Sequence, residues 1–490
     1  MTALAAPPLA SPTSAPAKVS KGLVPGLIVG LAVAYLTMPF AQASGGRDPW
    51  AVTKAAVVVL VAIVAAKPWE RLRAGTLALA VAVAAAAIAV CLVTPPGWFD
   101  ATRASSYGLA AGAFVAVASY ARSVRRAYLI GGIVAAAGAV QFCWSFVAWW
   151  GGRDQSLPMV GTFYWHNQFA AFLLAPALIA LALLVRHRAP WRLVGWVVAP
   201  LATAGIVYSS SRGGLGILIV GWLLVGVLAC RAKPNRGALV RWLAASVLAA
   251  GVTMAISGPP FFASSSSPFA ATQARASGGD TADANSAYRV RMWHEAVIVF
   301  DHHPVAGVGY GGLQSSAAKL TPVGWPRSPL AHNDYLQAFA EGGLLLGLPF
   351  LAACGAIGIG LLRSLRSRAR SRTLDVRTGM IVGALALLAH AFIDFDWTYP
   401  ALFTLVAIVS AAAIAPALRR PEATAADPLR VGVSRSMASR PGVRVALVGV
   451  LAALIAFGGI AGHRGGLQLG FGTKTAVAPV AAITPVGAIG

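Results

Sequence analysis

Apolar stretches of membrane-crossing length recur along this chain and leave little room for any other architecture. They lie near 23–40, 50–66, 74–93, 105–121, 127–149, 167–185, 193–208, 213–230, 242–257, 342–362, 378–396, 399–417 and 443–461. A helix needs roughly 17–25 apolar residues to cross ~30 Å of hydrocarbon, and most of these stretches meet that length. Only 11% of the 490 residues are charged, whereas soluble domains run near a quarter. The expectation is an all-α, polytopic transmembrane protein with 12–13 spans, the fourth and seventh being the weakest.

The breaks between spans divide the chain. Residues 1–22 are rich in Ala, Pro, Ser and Thr and predict a disordered cytoplasmic N-terminus. Spans then fill 23–257, a large external helical loop covers 258–341, and further spans occupy 342–417. A cytoplasmic linker (418–442), a final span (443–461) and a disordered external tail (462–490) complete the reading. Lys18 and Lys21 before an apolar run, with Ala41-Gln42-Ala43 after it, resemble a signal peptide. That run is longer than the usual 7–15 residues of such a segment, so it reads as an uncleaved first span.

Placing the N-terminus in the cytoplasm gathers the basic residues into alternate loops. Lys67, Arg71 and Arg73 fall inside, as do Arg122, Arg125 and Arg126, the 186–192 and 231–241 arginines, and the run from Arg363 to Arg377. This obeys the positive-inside rule. It also accounts for the +24 net charge without nucleic acid, since no basic face is interleaved with aromatics. The large loop then lies on the external face of the cytoplasmic membrane. All four cysteines (Cys91, Cys143, Cys230, Cys354) sit in predicted spans, so they form neither a disulfide framework nor a metal site.

Polar groups at span ends are costly unless partnered, and four external clusters stand out. They are Gly161–Ala170, containing His166 and Asn167; Tyr208–Gly214, containing Arg212; the 286–341 loop segment; and His390–Asp396, where His390 and Asp394 fall four apart on one predicted helix face. Arg212 either snorkels to the interface or faces a ligand beside Gly213-Gly214. Arg291 can pair with Glu295 at i,i+4. Arg289 has Trp293 at that position instead, so it is expected to turn inward. His332 opens a predicted helix with Asp334 in the first turn, where a helix N-terminus disfavours an imidazolium and leaves the ring fit to accept a proton. His294, His302 and His303 match no metal-ligand spacing, and Gly307–Gly312 lacks the context of a phosphate loop and reads as a turn.

Arg289–Ala296, Pro304–Gly311, His332-Asn333-Asp334-Tyr335-Leu336-Gln337 and Glu341-Gly342-Gly343 resemble, in order and spacing, the O-antigen ligase and polymerase superfamily of bacterial membrane glycosyltransferases. The Gly161-Thr-Phe…Asn167-Gln-Phe-Ala stretch, Ser211-Arg212-Gly-Gly, and Asp394-Phe395 with Pro400-Ala401 look like its patterns too, covering roughly 160–400. The resemblance implies a polyprenyl-diphosphate-linked glycan donor and a glycan, lipid or protein acceptor. It also implies diphosphate-binding roles for Arg212 and Arg289, with Arg291 less clearly matched, and a base role for His332. His166, Asn167, Asn333, Glu341 and Asp394 are expected to support the site. No cofactor or metal is expected. A lipid-linked glycan transporter and a non-catalytic envelope-assembly protein are the competing readings; transporters place polar sites at the bilayer midplane, whereas these clusters lie at its outer edge.

Overall fold

In the computed structural model, the described residues are 23–37, 51–94, 101–152, 158–186, 191–231, 236–256, 279–372 and 374–419. They form a helical bundle in the order α1 (Leu23–Thr37), α2 (Ala51–Ala66), α3 (Pro68–Arg71), α4 (Ala74–Val93), α5 (Ala101–Tyr120), α6 (Val124–Gly152), α7 (His166–Arg186), α8 (Trp191–Tyr208), α9 (Arg212–Arg231), α10 (Arg236–Ile256), α11 (Gly279–His302), α12 (Leu313–Leu320), α13 (Asp334–Ser371), α14 (Val376–His390) and α15 (Pro400–Ile414). Nine helices among the described residues are long and apolar enough to cross a membrane, and two shorter apolar helices join them. The protein is an all-α, multi-pass membrane protein. The N-terminal segment, the linker, the last predicted span and the tail lie outside the described residues.

The weak fourth predicted span corresponds to α5, which is not among those nine helices or the two shorter ones, and its polarity has a structural cause. Ser106 and Ser119 are fully buried and Ser105 nearly so, because α5 packs inside the bundle against α2, α4 and α15. A helix whose polar side chains face other helices does not need the hydropathy of a lipid-facing one. At the centre of the bundle is α7, buried along its whole length between α6, α8, α9 and α14. The approach of α14 depends on Gly379 and Gly383, one turn apart. A Cβ on Gly379 would come within 2.8 Å of the Leu178 carbonyl oxygen and Ile179 Cα, and one on Gly383 within 3.0 Å of Ala175 Cα. This small-xxx-small contact lets two backbones touch. It also fixes how the N-terminal end of α7 sits against the C-terminal end of α14, where the polar cluster lies.

The boundary expected between the external loop and the next span falls inside one long helix, α13. That helix breaks at Gly343, whose φ is +56° and ψ −156°, a conformation open essentially only to glycine. The carbonyls of Ala340 and Glu341 accept from the backbone N–H of Val308 (3.1 Å) and Gly309 (2.8 Å). Beyond the break, Leu344 and Leu345 N–H donate to the carbonyls of Pro304 (2.7 Å) and Val305 (3.0 Å). The glycine-rich segment read as a turn is therefore the part that fills the gap in the helix and satisfies its orphaned backbone groups. The span also runs further than expected, so Arg363, Arg366, Arg368 and Arg370 lie on the helix instead of in a loop. The predicted 378–396 span is shorter and stops at His390.

Gly343→Ala should destabilise the protein by about 2 kcal/mol or more, since the added Cβ meets the Val305 carbonyl and the backbone is strained. Hydrogen exchange should show loss of protection at Val308 and Gly309 before the spans are affected. Unchanged protection there would remove the glycine requirement.

Candidate active site

Between α14 and α15 the chain turns through residues 391–399, and the polar cluster is built on that turn. The helix ends at His390, so His390 and Asp394 do not share a helix face, contrary to the spacing argument. They diverge: His390 Nδ1 lies 2.7 Å from Asp396 Oδ2, while Asp394 points to the other side of the turn. The turn is locked to α13 because Asp334 N–H donates to Ala391 O at 2.9 Å and Trp397 N–H donates to Asp334 Oδ2 at 3.0 Å.

Asp394 is buried and is the meeting point of four chain segments. From the first turn of α7, Asn167 Nδ2 donates at 2.7 Å and Gln168 Nε2 at 3.2 Å. Within the turn, Phe395 N–H donates at 2.9 Å. From α11, Arg289 places Nη2 at 3.3 Å from Oδ2, and its Nη1 donates to Ile393 O at 2.8 Å. From the segment before α13, His332 Nδ1 lies 3.3 Å from Oδ1. Arg289 turns inward as the Trp293 four residues on suggests, and the rest of its guanidinium faces outward, with the side chain 30% exposed.

His332 precedes the helix instead of beginning it, since Asn333 is the N-cap and accepts from Tyr335 and Leu336 N–H through its Oδ1 at 3.1 Å each. The backbone of His332 is left-handed, with φ +51°. Trp293 Nε1 donates to its carbonyl at 3.2 Å, and the ring meets Phe395 edge-on with centroids 4.6 Å apart. The charge nearest the imidazole is thus the Asp394 carboxylate, not the helix terminus invoked from sequence. An ionised carboxylate only accepts, so a hydrogen on Nδ1 would face Asp394 and leave the Nε2 lone pair for an incoming O–H.

The other expected residues are placed as follows. Arg212 is the exposed first residue of α9; Gly214 N–H donates to Ser211 Oγ at 3.2 Å, and a Cβ on Gly213 would reach Ile393 at 2.5 Å, so this turn adjoins that of Asp394. His166 begins α7 directly before Asn167. Arg291 is exposed, and the i,i+4 pair with Glu295 is not formed. Glu295 is buried instead and accepts from Arg327 N–H at 3.0 Å. Glu341 is buried away from Asp394, where it accepts from Arg103, from Gly311 N–H (2.9 Å) and from Gln337 Nε2 (2.7 Å). It clamps the glycine-rich segment to the broken helix. Sequence reasoning missed Arg103 and left Gln168 out of the site. Arg103 was findable, because an isolated external arginine opposes the topological charge bias as much as Arg212 does.

Outside the helical spans, the carboxylates are tuned in opposite directions. Burial pushes Asp394 up, but the hydrogen bond from His332 and the charges of His390 and Arg289 outweigh it and hold its pKa at about 2. Asp396 is raised instead, by burial, against the lowering effect of the charge and hydrogen bond of His390. Asp394 is therefore the ionised anchor of the group.

Asp394→Asn should lower stability by about 1–2 kcal/mol, because it removes the counter-charge of a partly exposed guanidinium and one acceptor of the Asn167 and Gln168 amides. The pH dependence has a definite sign. A depressed folded pKa contributes stability that is fully present above the unfolded value of about 3.9 and is lost as pH falls through the folded value. Thermal unfolding in detergent between pH 5 and 8 should show a constant difference between wild type and Asp394→Asn. A difference that shrinks across that window would mean Asp394 is not the ionised anchor.

Residues 197–351 match a family model described as O-antigen ligase. No curated protein matches the chain. The matched segment, about a third of the chain, runs from α8 through Arg212, Arg289 and His332 to just beyond the break in α13.

Proposed function

We propose that this protein is a membrane glycosyltransferase of the O-antigen ligase or polymerase type. It takes a glycan from a polyprenyl-diphosphate carrier and transfers it to an acceptor hydroxyl of a polysaccharide, lipid or protein, on the external face of the cytoplasmic membrane. The observation that carries the reading is one buried carboxylate, Asp394, holding both a histidine and an arginine at the outer ends of the spans.

The chemistry follows from these groups. The acceptor oxygen attacks the anomeric carbon, the carbon–oxygen bond to the diphosphate breaks, and its electron pair leaves with polyprenyl diphosphate. His332 Nε2 takes the acceptor's proton, a contribution of about 10²–10⁴-fold for a positioned base. Arg289, with Arg212 from the adjoining turn, stabilises the charge developing on the leaving diphosphate, for which planar guanidiniums are suited. Arg291 lies further out on the same helix and contacts the carrier's outer portion. Attack opposite the diphosphate inverts the anomeric centre, and the arginines supply the role a metal would otherwise fill. His166 and Asn167 support the acceptor side, while Asn333 and Glu341 act by fixing the external helix. A transporter is less well supported, because the cluster sits beyond the helix ends instead of at a midplane break.

Purified protein given a synthetic polyprenyl-diphosphate sugar and an acceptor should release polyprenyl diphosphate; binding without release would favour the transporter. In the same assay, Arg289→Ala and Arg212→Ala should each reduce transfer at least ~10-fold, with lysine recovering only part. Full activity of Arg212→Ala would make that residue an interface anchor. His332→Gln should lose ~10²-fold or more in turnover while still binding donor. Near-normal turnover would leave His332 a positioning group at most. A cytoplasm-dependent reporter fused after Arg372 should be active and one within 265–285 silent, and the reverse would put the site on the wrong face.

A further inference from the structure

The turn that leads into α7 carries two aromatic rings that neither the packing of the bundle nor the proposed chemistry uses. Tyr164 is 73% exposed and Trp165 43%. Their rings lie stacked, with centroids 6.2 Å apart and planes 20° from parallel.

Membrane proteins set Trp and Tyr at the headgroup level as anchors. Exposed tryptophans are present on the spanning helix α6, at Trp144 and Trp150. Tyr164 and Trp165 differ, because the turn that bears them is fixed to three other parts of the fold. Before them, Gln141 Nε2 of α6 donates to Thr162 Oγ1 at 3.1 Å. Phe163 is buried between Phe172 and Tyr399, with ring centroids 5.5 and 6.0 Å away. After them, Asn167 donates to Asp394. The close approach to α6 requires Gly161, whose φ is +63° and where a Cβ would run into Gln141 and Ser145. The two rings are thus held outward on a fixed backbone, and rigid aromatic side chains of this kind give contact area at little entropic cost.

The rings also connect to the proposed base. His332 meets Phe395 edge-on at 4.6 Å, Phe395 stacks with Tyr399 at 6.4 Å, and Tyr399 meets Phe163, the residue before Tyr164. Burial raises the pKa of the Tyr399 hydroxyl and the charges of Asp394 and Tyr164 add to it, so both groups lie within electrostatic reach of that phenol. Arg289 meets the same turn at Ile393, on the other side of Asp394 in the chain. The aromatic wall therefore leaves from the base and not from the cations proposed to hold the diphosphate.

A pyranose ring has faces made of C–H groups, with its hydroxyls around the edge. The C–H hydrogens are slightly positive and are attracted by the negative face of an aromatic ring, while the hydroxyls stay in water or meet polar edges. A peptide or an acyl chain offers no such face. We propose that Tyr164 and Trp165 form an acceptor subsite on which a pyranose ring of a saccharide stacks, with the chain leading along Tyr399 and Phe395 to its attacking hydroxyl at His332. The subsite rests on the glycosyl-transfer reading and narrows its acceptor to a saccharide hydroxyl.

The test reads sugar binding directly and needs no turnover. Full-length protein in detergent is given the methyl pyranosides of glucose, galactose and rhamnose, with sorbitol as an open-chain polyol that has no pyranose face, and binding is read by saturation-transfer NMR. At least one glycoside should take up saturation on its ring C–H protons, and sorbitol should take up none. Tyr164→Ala and Trp165→Ala should each weaken that glycoside about 3- to 10-fold. Both residues are exposed, so their removal leaves Phe163 and Asn167 to hold the turn. Trp165→Phe should keep most of the affinity, and Trp144→Leu should change nothing. Binding should persist when a synthetic polyprenyl-diphosphate sugar is added. Absence of glycoside binding, equal binding of sorbitol, or unchanged binding in the double variant overturns the proposal, and competition by the polyprenyl-diphosphate sugar would make the rings a donor subsite and overturn it too. Glycoside binding through these rings with no release of polyprenyl diphosphate would sink the transferase reading and leave a sugar site. Release by wild type, with normal glycoside binding in the double variant, would do the reverse.

Discussion

A carboxylate buried at the edge of a membrane bundle is costly unless donors surround it, and the arrangement around Asp394 follows from that requirement. Its donors come from the start of α7, from α11, from the residue before Asn333 and from its own turn. None of these segments is near another in sequence. Each would leave an unpaired polar group if it moved away, so one anion closes residues 279–342 over the ends of the spans. The same anion lies 3.3 Å from His332 Nδ1 and turns Arg289 so that part of its guanidinium faces outward.

This layer has a second attachment, of a different physical kind. Where α13 breaks at Gly343, four backbone groups that a continuous helix would have paired internally are paired with residues 304–309 instead. Glu341 and Arg103 add an ion pair beside the break, at low exposure on both sides. The layer is thus held at one edge by backbone complementarity and at the other by a charge. The first contact is insensitive to pH, whereas the second persists only while Asp394 stays ionised, which its depressed pKa ensures over the physiological range.

Much of this was legible in the sequence, and the failures are instructive. Hydropathy located the spans because bilayer thickness limits helix length, and it ranked α5 low for a reason the structure supplies, since its serines face other helices. The inward turn of Arg289 could be read from Trp293 four residues on. The spacing of His390 and Asp394 misled, because period-3.6 reasoning assumes a helix that in fact stops at His390. Nothing local marks that stop; it is imposed by α13, whose Asp334 N–H takes the Ala391 carbonyl. The role of Gly307–Gly312 was equally hidden, since its partner is a helix break thirty residues downstream. Glu295 and Arg291 satisfied the i,i+4 rule in sequence, yet burial of Glu295 against the Arg327 amide took precedence.

The two ends of α14 suggest why such a site can be stable in this setting. At one end Arg377 is buried and donates to three carbonyls left by the ends of α5 and α15 and by the turn after α5. At the other, Asp394 collects donors from segments that would otherwise be separate. Both charges sit where helices terminate and unpaired backbone groups or side-chain amides are available to solvate them. Between them, Gly379 and Gly383 press α14 against α7, so the spacing of the two ends is set by backbone contact. In the proposed reaction a base and a cation must meet a reacting bond within a few tenths of an ångström, which needs such a rigid reference. Here that reference is a helix pair packed too closely to slide, with the reactive groups attached to one carboxylate at its tip.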